Sequence, residues 1–160
     1  MKKQNRISLA FFGCVLLLGS MAMKAEDAKE VALPTLPKTA GAVDKDAPKT
    51  FTATASGLKY RVLRKGTGAM PKATEKVSVN YHGWLDNGSV FDSSYNRGKS
   101  ISFGLNQVIK GWTEGMQLVG TGGMIELEIP SDLGYGARGF PPVIPGGSTL
   151  HFIVELLAIE

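Results

Sequence analysis

Cysteine is almost missing from this chain: Cys14 is the only one in 160 residues, and it lies in an N-terminal apolar run. A lone thiol can close no intrachain disulfide and build no cysteine zinc site. Histidine is nearly as scarce. His82 and His151 both fall in stretches with strand patterning, neither at metal-ligand spacing from other candidates, so no metal and no cofactor are expected. A Gly-x-Ser-x-Gly nucleophile elbow is absent. Gly98-Lys-Ser100 has the look of the end of a phosphate loop, but Ser93 stands where the upstream glycine belongs. An excess of one charge is also missing from the main body. Residues 51–160 carry 10 basic and 9 acidic side chains, with no basic stripe of the kind nucleic acid requires. Finally, there is no internal repeat and no run of the roughly 20 apolar residues that would span a bilayer.

What is present begins with an address. Met1-Lys-Lys-Gln-Asn-Arg6 is basic, Ile7 to Leu18 is apolar, and small residues follow at Gly19, Ser20 and Ala22. That order predicts a signal peptide over residues 1–25, cleaved after Ala22 or Ala25, and hence export, most simply to the periplasm. Cleavage would remove Cys14 and leave no stable membrane insertion. A lipoprotein reading of Cys14 fails because Phe11-Phe-Gly-Cys14 lacks the usual Leu and the apolar run continues past it. Residues 26–50 are rich in Ala, Lys, Asp and Pro, with Pro34, Pro37 and Pro48 breaking any period, and predict a flexible tether. Residues 51–160 then form one domain.

Within that domain the patterning is mostly of strands. Leu58 to Leu63 alternates and breaks at Gly66-Thr-Gly68. From Lys76 to Asp86, Val77, Val79, Tyr81, Gly83 and Leu85 share one face of a long strand. Asp86-Asn-Gly-Ser89 supplies an Asn-Gly turn, and Val90 to Ser94 returns as the second arm of a hairpin. Tyr95 to Ser100 reads as a loop, and Ile101-Ser-Phe103 as a short apolar piece. Gly122 to Pro130 alternates with an irregularity near Ile125 that suggests a bulge. Ser131 to Gly147 is a long loop, and Thr149 to Ile159 is a last strand with Leu150, Phe152, Val154 and Leu156 on one side.

One segment has a helical rhythm. Between Gln107 and Val119, Val108, Trp112, Met116 and Val119 recur at spacings of four, four and three. Asn106 stands ready to cap it and Gly120 to close it in a left-handed conformation. So short a helix buries a Trp only by lying on something apolar, here the surrounding strands. The expected class is α+β, a curved antiparallel sheet wrapped around one short helix. Spacing alone leaves Trp112 open as plain core or pocket floor. It leaves Asp92 equally open as a solvated loop acid or a pocket group.

Five motifs, in order, carry a resemblance: Tyr81 in Val-Asn-Tyr-His-Gly-Trp-Leu, Phe91-Asp-Ser-Ser94, Val108-Ile-Lys-Gly-Trp-Thr-Glu-Gly115, Leu133-Gly-Tyr-Gly-Ala137, and Ile144-Pro followed by Leu150-His-Phe-Ile-Val-Glu-Leu-Leu157. From about Leu58 onward the chain resembles the FKBP-type peptidyl-prolyl cis-trans isomerases. The resemblance implies a proline-binding pocket with Trp112 as its floor and Tyr81, Phe91, Val108, Ile109 and Phe152 as walls. It implies catalytic contacts from Asp92, Tyr135 and Trp112, and a substrate carbonyl held by the Ile109 amide. Ile101 stands where the family often has an aromatic, and Phe140, Val143 and Ile144 would meet residues flanking the proline.

There are departures from the family pattern. Ser100 replaces a frequent Pro, Ile153 a frequent acid, and Gly146-Gly147 follows an unusually apolar loop tip at Phe140. They bear on substrate preference and loop rigidity, not on the pocket motifs. The implied activity is rotation of X-Pro bonds in an apolar aromatic pocket, serving as a folding catalyst for exported proteins. The implied partners are proline-containing polypeptides and the macrolide inhibitors of the family. A monomer is expected, because the long helical N-terminal module of some dimeric exported relatives is missing. The alternative, from another class, is a non-catalytic peptide-binding module or chaperone using the same pocket and its apolar tip.

Overall fold

A computed structural model describes residues 29–160. The expected signal peptide, Cys14 and residues 26–28 of the expected tether lie outside the described residues. No helix among the described residues is long and apolar enough to cross a membrane.

Seven strands form one antiparallel sheet: β1 (Thr52–Ala53), β2 (Lys59–Arg64), β3 (Lys76–Leu85), β4 (Val90–Ser93), β5 (Ile101–Gly104), β6 (Met124–Ile129) and β7 (Leu150–Ile159). The order is β1-β2-β6-β7-β3-β4, with β5 also on β3. The long strand β3 behaves as its alternation requires. Val77, Val79, Tyr81, Gly83 and Leu85 are buried, and each residue between them is partly exposed. One edge of β3 is taken by β7 along its length. The other edge is shared, with β5 on residues 76–79 and β4 on residues 82–84. A one-turn helix, α1 (Ser94–Arg97), fills the interruption between them. This is the segment expected as loop. Its start is set by the Ser93 hydroxyl, which accepts from the Asn96 amide, and its end by Gly98 in the left-handed region.

The second helix, α2 (Lys110–Gly115), is shorter than the rhythm from Gln107 to Val119 predicts, because tight three-residue turns at Leu105–Gln107 and Met116–Leu118 replace its ends. Asn106 lies in the first of these turns and does not cap the helix; Ile109 precedes it, with no side-chain cap. Gly120 does not adopt a left-handed conformation either. Its role is close approach: a Cβ there would fall 2.5 Å from the Gly68 carbonyl oxygen. Close approach also seats α2 on the sheet. Added Cβ atoms at Gly111 and Gly115, four apart, would meet Ile129 at 2.5 Å and Leu127 at 2.7 Å. With glycine against β6, Trp112 and Met116 reach fully into the core between helix and sheet.

The irregularity expected near Ile125 falls in its pairing with β2: Val62 stands opposite Ile125 and Arg64 opposite Met124, so the extra residue, Leu63, is on β2, while β6 pairs with β7 in unbroken register. The apparent break in alternation has another cause: β6 is buried on both faces. Ile125, Leu127 and Ile129 join the main core, whereas Met124 joins a second cluster with Leu63 and Ile153 on the outer face. What covers that outer face is the stretch expected to be a flexible tether. Leu36, Ala40 and Val43 pack on the second cluster. Arg61, 1% exposed, donates to the carbonyls of Val31 (2.7 Å), Ala32 (2.7 Å) and Lys49 (3.3 Å), and to Glu126 at 2.6 Å. Residues 29–50 hold no helix or strand, so no local pattern announces them; beyond two tight turns, their order comes from contacts with distant residues.

Candidate functional site

Between α2, the sheet and the loop after β6 lies a cavity of about 540 Å³, within the usual range for small-ligand sites. Each wall comes from a different element. Trp112 rises from α2, its indole ringed by Tyr81 of β3 (5.4 Å between centroids), Phe152 of β7 (5.2 Å) and Phe103 of β5 (5.3 Å), all edge-on. Phe91 of β4 meets Phe152 in the same manner at 5.3 Å. Edge-to-face contacts suit the ring quadrupoles and fix the orientation of each ring. Trp112 is only 5% exposed yet lines the cavity, so it is core and cavity wall at once. Its indole N–H is buried with no partner among the described residues.

The titratable groups stand in two places. Asp92, at the end of β4, accepts hydrogen bonds from the Tyr81 hydroxyl and from Arg97, and Arg97 also donates to the Tyr81 oxygen at 2.9 Å. The guanidinium lies over the Tyr81 ring, 5.6 Å from its centre. Burial alone would raise the Asp92 carboxyl, but the hydrogen bonds from Tyr81 and Arg97 outweigh it and hold the pKa below its ordinary value. The Tyr81 phenol is pushed up, by burial first and then by the Asp92 hydrogen bond. Across the cavity, the Tyr135 phenol is pushed up by burial and by the charge of Asp92. At neutral pH the site therefore holds one fixed carboxylate and two neutral phenols. The Ile109 carbonyl takes bonds from the Trp112 and Thr113 amides. Its own N–H precedes the first turn, so the helix makes no use of it.

The rim is apolar and open. Ile101, Tyr135, Phe140 and Val143 are each more than a third exposed, and the rings of Tyr135 and Phe140 stand 5.6 Å apart. Ile144, at the base of the tip, is 3% exposed and anchors it to the core.

All twelve site residues expected from the sequence line this one cavity: Tyr81, Phe91, Asp92, Ile101, Val108, Ile109, Trp112, Tyr135, Phe140, Val143, Ile144 and Phe152. Phe103 and Gln107 line it as well and were not anticipated. Nor was Arg97, whose clue in the sequence is its place five residues after Asp92, one helical turn beyond the strand. No group of three His, Cys, Asp or Glu side chains placed to hold a metal occurs among the described residues.

Residues 68–157, more than half of the chain, match the family model described as FKBP-type peptidyl-prolyl cis-trans isomerase. The chain belongs to that family. Among curated relatives, an FKBP-type peptidyl-prolyl cis-trans isomerase FkpA of Aeromonas hydrophila is 53% identical over 107 residues, 67% of this chain and 40% of the relative. The FkpA of Escherichia coli K12 is 47% identical over 112 residues, 70% of this chain and 41% of the relative. The chain thus spans less than half the length of either. The crystal structure of Escherichia coli FkpA superposes with a TM-score of 0.67 at 47% identity, covering 69% of this chain and 51% of that one. The FKBP chain therefore carries the fold of its relatives, an antiparallel sheet with one short helix against it.

Proposed function

We propose that this FKBP chain is a peptidyl-prolyl cis-trans isomerase that turns X-Pro bonds in the cavity above Trp112. The observation that carries the proposal is the cavity's division of labour: three aromatic rings close around the indole, and the titratable polar groups stand at the edge. Such a reaction breaks no covalent bond and needs no nucleophile. Its barrier of roughly 18–20 kcal/mol is lost amide resonance. As the C–N bond twists, charge drains from the carbonyl oxygen, so the twisted amide suits an apolar site better than the planar one does. A pocket that strips water from the amide therefore favours the transition state over the ground state. Each ~1.4 kcal/mol of that difference is worth about tenfold in rate.

The chain's own residues supply the rest. The proline ring would sit on Trp112 between Tyr81 and Phe152. The Ile109 N–H and the Tyr135 hydroxyl would hold peptide carbonyls on either side of the reacting bond. Asp92, held ionised by Arg97, would face the twisting carbonyl or a neighbouring group. Phe140, Val143 and Ile101 would cover the residues next to proline. The substrates are proline-containing stretches of unfolded chains, and the basic-then-apolar N-terminus supports work on exported proteins in the periplasm. A macrolide filling the cavity would compete with them.

The apolar tip supports a second reading, a holdase that binds chains without turning them over. One pair of assays separates the two. Catalysis predicts that a small fraction of an equivalent of the full chain speeds the proline-limited refolding of a client. A holdase predicts no such acceleration, and suppressed aggregation of a proline-free client at equimolar protein. Refolding that stays at its uncatalysed rate would rule out the isomerase.

A further inference from the structure

The carboxylate–phenol–guanidinium triad at the cavity edge depends on α1, a single helical turn. Helices this short have no stability of their own, so their position is set by what they touch. Two ties run from α1 back to β3 and β4: the Ser94 hydroxyl accepts from the Tyr81 amide at 2.8 Å, and the Ser93 hydroxyl caps the turn. A third tie leads away from the cavity. The Tyr95 hydroxyl donates to Glu155 Oε1 of β7 at 2.8 Å. Glu155 is 7% exposed, and Oε1 also accepts from the Gly41 amide at 2.6 Å, in the N-terminal segment 29–50 that straps the outer face of the sheet, while Oε2 pairs with Arg64 at 3.2 Å. Arg64 in turn donates to the Ala42 carbonyl at 3.0 Å. A continuous set of hydrogen bonds therefore joins the strap, through Glu155 and Tyr95, to the helix that carries Arg97.

The phenol of Tyr95 is pushed up by burial and by Glu155, so it stays a donor at any physiological pH. The Arg97 guanidinium, by contrast, is half exposed and reaches Asp92 across open rim. A long side chain in that setting keeps one geometry only if its backbone is fixed. Tyr95, two residues earlier on the same turn, is the fixing point on the side away from the cavity.

We propose that Tyr95 and Glu155 are positioning residues for the cavity, and that the strap acts through them to hold Arg97 against Asp92 and Tyr81. The strap is then a working part of the isomerase unit, distinct in role from a passive linker. This rests on the isomerase reading of the cavity.

The test is a double-mutant cycle in the full chain, read as kcat/KM on an X-Pro peptide. Tyr95→Phe keeps the ring and loses the tie; Arg97→Ala loses the group it positions. Each alone lowers kcat/KM by roughly three- to tenfold, and the double variant is no worse than Arg97→Ala, because residues acting through one another are not additive. Glu155→Ala behaves like Tyr95→Phe, whereas Glu155→Gln, which keeps the Oε1 acceptor, retains most of the activity. Gly41→Pro, which deletes the strap's N–H and presses a Cβ into the Arg64 guanidinium, lowers kcat/KM in the wild-type background and is silent beside Arg97→Ala. Tyr95→Phe at full activity, or losses that multiply in the double variant, overturn the positioning role. Gly41→Pro at full activity overturns the part given to the strap. Absence of turnover in the wild-type chain counts against the isomerase reading instead. The same cycle, read by affinity for a proline peptide, then decides the positioning claim in the same way.

Discussion

Asp92 and Trp112 make opposite demands on a mutagenesis experiment. Asp92 is 41% exposed at its side chain and held by two donors, so Asp92→Asn keeps shape and removes charge. If its carboxylate orients the twisting amide, kcat/KM falls about tenfold with the fold intact, a loss of ~1.4 kcal/mol; unchanged kinetics would reduce it to a surface ion pair. Trp112→Ala is a poor probe by comparison. Its side chain is nearly buried, and truncation of such a residue costs about 3–5 kcal/mol of stability, so Trp112→Leu, judged against its own melting curve, is the better choice. The pH dependence follows from the same groups. The Tyr81 and Arg97 hydrogen bonds hold the Asp92 carboxyl below the ordinary carboxylate range, so its stabilising part is fully present above that range and lost as pH falls through the lowered folded value. Both phenols are pushed up from the ordinary phenol range, by burial first. Turnover is therefore flat between pH 5 and 9, and a limb near neutrality would show that another group carries the chemistry. Spacing alone had left Asp92 and Trp112 open between bland and functional readings. What supports the functional readings is their neighbours, Arg97 and Phe103 included, and those are brought together only by the fold.

At the scale of the element, α2 and β6 meet through glycine. Gly115→Ala would drive a methyl group into Leu127 and should cost about 1–3 kcal/mol through overpacking. A melting temperature equal to wild type would mean that the helix rides higher on the sheet than described. The alternating strands were readable from sequence because one face of each is clearly apolar, as in β3. The helix was readable in position but not in extent, since a rhythm of four residues does not distinguish an α-turn from the tighter turns that flank it. α1 was missed because four residues carry no period at all. Near Ile125 the break in alternation has two sources: the extra residue that β2 sets opposite it, and a strand buried on both faces at every position but Glu128.

That dry outer face is a property of the whole molecule. Arg61 and Glu126 are both buried on it, and burial pushes the Glu126 carboxyl up although Arg61 pulls it down. Removing Arg61 would strand a buried carboxylate and free three strap carbonyls, so Arg61→Ala should cost about 3–5 kcal/mol, read from denaturant midpoints. A loss well under 1 kcal/mol would show that the strap adds little to stability. Cavity, strap and sheet together shape the chamber above Trp112, where we propose that the barrier to X-Pro rotation is lowered. The most direct measurement is exchange NMR on one X-Pro peptide with a few per cent of an equivalent of protein, which reads both interconversion rates at equilibrium. Uncatalysed exchange takes roughly 10–100 s at 25 °C. Catalysis in this chamber raises both rates by the same large factor, leaves the populations unchanged, and is mostly lost in Trp112→Leu. Unchanged rates, with populations shifting only as peptide is bound, would mean that the cavity binds proline and does not turn it.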